Sequence, residues 1–130
     1  MSVGILLLTH PGTGRGLIDV ATRLLRQLPL KAEAFELAFD LDLETALPQA
    51  SAAMRKVDGG EGVLILTDLY GASPSNLAQR LTQLGTPARR VAGLSLPMLL
   101  RVMNYAELPL AELPAVAAAG GKNGAIVDDP

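Results

Sequence analysis

The 130-residue sequence predicts an open α/β fold built on a mostly parallel sheet. Three observations carry that expectation. Val3–Leu8 and Val63–Thr67 are continuous apolar runs of strand length, the pattern of strands covered on both faces. Between them lie segments with the helical period, and Gly- or Pro-marked turns separate the two kinds of segment. Strands alternating with helices imply right-handed crossovers, and so a parallel sheet with helices on both faces.

The elements follow in order. Val3–Leu8 is the first strand, closed by Pro11-Gly12. Leu17, Val20, Ala21, Leu24, Leu25 and Leu28 then fall on one helix face, which Pro29 ends. Lys31–Phe39 reads as a shorter second strand, and a helix follows to about Val57. Pro48 lies inside that stretch and marks either a late start or a kink. After the Asp58-Gly-Gly-Glu-Gly turn, Val63–Thr67 is the third strand, with Asp68 at its end. Ser73-Pro74 opens the next helix, Ser73 as N-cap and Pro74 at the first helical position, and Gly85 closes it. Val91–Leu96 reads as the fourth strand, Pro97–Asn104 as a short helix, and Pro109–Ala119 as a last helix stopped by Gly120-Gly121. The apolar triplet Ala125-Ile126-Val127 has two readings, a frayed terminus or a strand pairing with a sheet edge of its own or a partner chain.

Composition narrows the chemistry. The length suits one domain, taken as residues 1–130. No cysteine is present, which removes disulfides, thiolate catalysis and Cys-based zinc sites; one histidine and no spaced acidic cluster speak against a metal or other cofactor. Eleven scattered basic residues against thirteen acidic ones give a net charge of −2, a poor footprint for nucleic acid. The apolar runs fall well short of the roughly 20 residues of a membrane helix, and no basic residue precedes the first of them. A soluble cytoplasmic domain is expected.

Ile5–Leu17, ILLLTHPGTGRGL, is a strand running into a glycine-rich turn, which invites a nucleotide reading. A phosphate-binding loop needs Gly-x4-Gly-Lys-Ser/Thr. With Gly14 as its second glycine, the chain has Thr9, Arg15 and Gly16 at the other three required positions. The dinucleotide fingerprint fails too, because Gly16 comes one residue early and Asp40 is the nearest acid to the end of the second strand.

His10 is the other reason to stop there. A lone histidine after an apolar strand can be a hydrogen-bonded structural residue, but His10 ends the first strand as Asp68 ends the third. Ligands of open α/β sheets collect outside the carboxyl ends of the strands. If the two strands are neighbours, Asp68 fixes the imidazole tautomer and makes Nε2 a nucleophile; otherwise it is a turn acid. Ser73 is either a cap alone or a further donor at a helix start suited to phosphate. Arg15 and Tyr70 likewise divide, the first between solvated residue and phosphate cation, the second between loop packing and partner contact.

THPGTGRGL, GVLILTDLYGASPSN and GLSLPML resemble the IIA component of the mannose-type sugar phosphotransferase system, in the same order over nearly the whole chain. Ala72 stands where the family often has glycine. The resemblance implies a sheet of order 2-1-3-4 and a homodimer with an exchangeable C-terminal strand. It further implies a phosphohistidine carrier that takes phosphate from phospho-HPr and passes it to a IIB partner, here expected to be a separate chain. His10 is then the phosphorylated residue, Asp68 its orienting acid and Ser73 an aid at the phosphate. Two alternatives stand beside it: a non-catalytic regulatory binding protein, and the phosphotransferase subunit of a dihydroxyacetone kinase.

Overall fold

The computed structural model describes residues 2–129. Its elements are β1 (Gly4–Thr9), α1 (Gly14–Leu25), β2 (Ala32–Glu36), α2 (Leu43–Val57), β3 (Val63–Thr67), α3 (Ser73–Leu81), β4 (Ala88–Ala92), α4 (Leu96–Asn104) and α5 (Leu113–Asn123). The four strands form one parallel sheet of order β2-β1-β3-β4, as expected. In register, Leu8 lies beside Thr67, Thr9 beside Glu36 and Thr67 beside Ala92. All four strands therefore end along the same edge, where His10 and Asp68 follow.

Every residue of β1 and β3 is buried, which is why these strands read as unbroken apolar runs. Ile5, Leu7, Leu64 and Leu66 pack on one face with side chains of α1, α4 and α5. Leu6, Leu8, Val63 and Ile65 pack on the other with α2 and α3. The edge strands are less covered, and β4 carries Arg89 and Arg90, charges that an edge tolerates and that discourage pairing with stray strands.

Several boundaries differ from the sequence expectation, each for a local reason. Helix α1 stops at Leu25 because Arg26 takes a positive φ of 68°, so Leu28 reaches the core from the following loop. Its inward stripe is Leu17, Ile18, Ala21 and Leu25, while Val20 and Leu24 are exposed. Strand β2 ends at Glu36, three residues before Phe39. Helix α2 begins at Leu43 because Asp42 caps it, its Oδ1 accepting the Thr45 N–H at 2.7 Å, and Pro48 is accommodated inside the helix.

Strand β4 comes earlier than Val91–Leu96. The chain leaves the sheet at Gly93, and Ser95 caps α4 by accepting the Met98 N–H at 3.2 Å. Leu94 and Leu96 then contribute to the core as loop and helix residues.

Helix α5 begins at Leu113 and runs through Gly120-Gly121 to Asn123. These glycines do not stop the helix; they let it lie on α4. A Cβ on Gly120 would come within 2.5 Å of Arg101 Cβ, and one on Gly124 within 2.4 Å of Pro97 Cβ. The segment 125–129 belongs to no helix or strand, and Ile126 and Val127 are exposed.

Candidate functional site

The loop after β1 is held by its own side chains. Buried Thr9 donates its hydroxyl hydrogen to the His10 carbonyl at 2.8 Å, and its Oγ1 accepts the Gly14 N–H at 2.9 Å. Gly12 supplies the positive φ of 91° on which the turn pivots. Glu36, at the end of β2, accepts the Arg15 N–H at 3.1 Å. Its carboxyl is held below the usual value by the amide N–H of Gly12 first and then by that of Arg15.

The sequence conceals Glu36, because a second strand running on to Phe39 leaves Asp40 as the nearest acid. The Glu36 carboxylate occupies backbone donors of the glycine-rich turn. The backbone donors a phosphate would use at the start of α1 already carry a carboxylate from the neighbouring strand.

The β3 end brings Asp68 onto His10, 58 positions away in the chain. Asp68 Oδ2 accepts the His10 backbone N–H at 3.0 Å and lies 2.9 Å from His10 Nδ1. An ionised carboxylate only accepts, so in the neutral ring the proton sits on Nδ1 and Nε2 keeps its lone pair. The two side chains are 27% and 15% exposed, enough for a reactant to reach the ring and too little for water to screen the pair fully. Asp68 Oδ1 is buried with no hydrogen-bond partner among the described residues. The carboxylate thus holds charge that a cationic imidazole would balance.

Phe39 completes the surroundings of the ring. It stacks on His10 with centroids 5.4 Å apart and planes inclined by 28°, although it is itself 82% exposed. As the end of an apolar strand, Phe39 gave no sign of this in the sequence.

Ser73 is not the N-cap expected of it. Ala72 holds that position without a side-chain hydrogen bond, and Ser73 is the first residue of α3, exposed, with Pro74 following. The bond to α3 comes from elsewhere. Arg90 on β4 donates to both the carbonyl and the Oγ of buried Ser75 at 3.0 Å, and its guanidinium lies 5.6 Å from the centre of the Tyr70 ring. Arg90 therefore ties the loop after Asp68 to the sheet edge, and the largely exposed Tyr70 packs over it. Arg15 gives its backbone N–H to Glu36.

Among the described residues there is no group of three His, Cys, Asp or Glu side chains placed to hold a metal, and no helix is long and apolar enough to cross a membrane.

Fold and site together define a parallel α/β domain that presents an oriented imidazole at the carboxyl edge of its sheet. Residues 4–118 match the family model described as "PTS system fructose IIA component", and the chain belongs to that mannose-type IIA family. It is 28% identical over 126 residues to the "PTS system mannose-specific EIIAB component" of Escherichia coli K12, an alignment covering 95% of this chain and 39% of that protein. The chain thus spans well under half the length of that relative. Among solved structures, it resembles the mannose/sorbose-specific IIA subunit of the phosphotransferase system from Enterococcus faecalis. The TM-score is 0.87 at 21% identity, covering 100% of this chain and 97% of that one. Phosphotransferase component EIIA from Streptococcus agalactiae gives 0.81 at 19% identity, covering 97% and 96%. At these identities the structural likeness speaks for the fold.

Proposed function

We propose that this protein is a phosphohistidine carrier that accepts a phosphoryl group from phospho-HPr on His10 and hands it to a IIB partner. The observation that supports it most is the 2.9 Å contact between His10 Nδ1 and Asp68 Oδ2, made by residues that end adjacent central strands. With Nδ1 protonated toward the carboxylate, the Nε2 lone pair attacks phosphorus while the donor's bond to phosphorus breaks and its electron pair stays with the donor. The imidazole becomes positively charged, and Asp68, with one oxygen otherwise unpartnered, balances that charge. Return of the phosphoryl group to a second acceptor reverses these steps.

Phosphoryl transfer depends chiefly on position and on neutralising charge at the equatorial oxygens. The start of α3 supplies the positive end of a helix dipole, and Ser73 stands on its first turn with an exposed hydroxyl. In this reading Asp68 orients, Ser73 assists at the phosphate and the α3 amides receive its charge of roughly −1.5 to −2. We further take the chain as one domain acting as a homodimer, with the 125–129 segment at the subunit contact.

The test is incubation with labelled phosphoenolpyruvate, enzyme I and HPr. The expected result is acid-labile phosphate on the native protein and none on His10→Ala. A folded native protein that stays unlabelled ends this reading.

A further inference from the structure

We propose that Phe39 is a positioning residue for the reacting imidazole, acting through the face of the ring as Asp68 acts through its edge. This rests on the reading of His10 as the phosphoryl acceptor. A single hydrogen bond at Nδ1 leaves the ring some rocking about χ1 and χ2, which carries Nε2 with it. A second contact on the ring face removes that freedom, and Phe39 provides one at 5.4 Å with nearly parallel planes.

The Phe39 turn is anchored to the strand that bears His10. The Leu37 N–H donates to the Thr9 carbonyl at 2.8 Å, and the Leu41 N–H closes the turn on the Ala38 carbonyl at 3.2 Å. Leu37 is buried and Leu41 packs against the core, so apolar anchors flank Phe39 on both sides. Core packing does not account for Phe39 itself, since 82% of its surface faces solvent. Its aromatic contact is with the histidine.

The face contact also has an electrostatic role. As the Nε2–phosphorus bond forms, the ring becomes cationic while Nδ1 keeps its proton, and the negative face of an aromatic ring attracts a cation within about 6 Å. Phe39 thus favours the charged phosphoimidazole over the neutral ring. It does so by geometry and polarisability, without any proton of its own.

The test separates ring positioning from docking of a protein partner. Phosphoramidate phosphorylates histidine without a carrier protein: the Nε2 lone pair takes the phosphoryl group, the donor's P–N bond breaks, and ammonia leaves with a proton. Labelling of His10 by phosphoramidate is followed in the native protein and in Phe39→Ala, Phe39→Leu and Phe39→Trp. A face contact of this kind predicts rates about two- to fivefold lower for the Ala and Leu variants. The Trp variant, which keeps an aromatic face, stays within about twofold of native.

In the NMR spectrum, the His10 ring-proton resonances move downfield in Phe39→Leu as the ring current is lost. The proposal is overturned if Phe39→Leu is labelled at the native rate, if Phe39→Trp slows as much as Phe39→Leu, or if the ring resonances do not move. A residue that only docks the carrier would raise the KM for phospho-HPr and leave the phosphoramidate rate untouched, which also overturns it. Native protein labelled by phosphoramidate but not through HPr would instead end the carrier reading and leave the Phe39 comparison intact.

Discussion

Replacing Asp68 by asparagine isolates the charge at the site from its shape. Asp68 Oδ2 serves two donors, the His10 backbone N–H at 3.0 Å and Nδ1 at 2.9 Å. An amide oxygen in the same place accepts both, so the loop stays where it is. What disappears is the negative charge. A hydrogen bond to a charged group contributes about 1.5–3 kcal/mol and a neutral one about 0.5–1.5, a loss of about 1–1.5 kcal/mol. The imidazolium formed in the proposed transfer also loses its counter-charge. An ion pair near 4 Å carries up to about 4 kcal/mol at an effective dielectric of about 20. Partial exposure of His10, 27%, cuts that severalfold.

The hydrogen bonds exist before and during transfer, so only the lost counter-charge raises the barrier, by about 1–2 kcal/mol, and transfer slows by about 5- to 30-fold. Rapid-quench measurement with labelled phospho-HPr reads the rate, and circular dichroism with thermal unfolding checks that the variant is native. A folded Asp68→Asn protein that transfers within threefold of the native rate would show that the carboxylate is a turn acid without a part in the chemistry.

The remaining predictions concern the supports of the site. Glu36 has a folded pKa below its ordinary 4.5. The stability it contributes is therefore present above that value and is lost as pH falls through the lower folded pKa. Melting temperature plotted from pH 7 to 3 should accordingly fall more steeply in the native protein than in Glu36→Gln, and parallel curves would refute the assignment. Gly120→Ala places a Cβ 2.5 Å from Arg101 Cβ. Overpacking of about 1–3 kcal/mol against a helix gain of about 0.5–1 predicts a net loss of up to about 2.5 kcal/mol in denaturant titration. At Gly16 in α1 a Cβ meets nothing within 4 Å. The same substitution there should stabilise by about 0.5–1 kcal/mol, and a loss at both positions would discredit the packing argument. A chain ending at Gly124 should be monomeric by light scattering if the tail forms the subunit contact; an unchanged dimer would place that contact elsewhere.

The central half of the architecture was legible because its residues have one environment. β1 and β3 are covered on both faces, so their sequences are uniformly apolar, and the residues that break the pattern, His10 and Asp68, are the ones at the site. Edges were harder to read. β2 and β4 are only partly buried, so apolar residues just beyond them, Phe39 in one case and Leu94 and Leu96 in the other, read as parts of the strands. A second strand drawn out to Phe39 conceals Glu36 and Phe39 together. Gly120-Gly121 is a stop signal by propensity, but the close crossing of α5 over α4 requires small residues there, and packing prevails over propensity. Arg90 was invisible because its meaning depends on Ser75 and Tyr70, which only the folded sheet edge brings beside it.

The 58 positions between His10 and Asp68 have a consequence for how the protein becomes reactive. Neither side chain has its partner until the crossover joining β1 to β3 has been made and the two innermost strands lie side by side. A nascent or partly unfolded chain therefore displays an ordinary imidazole, with neither its tautomer nor its direction selected. Under the proposed chemistry, phosphate uptake becomes a gauge of nativeness: the fraction of molecules that label quickly is the fraction that has finished folding.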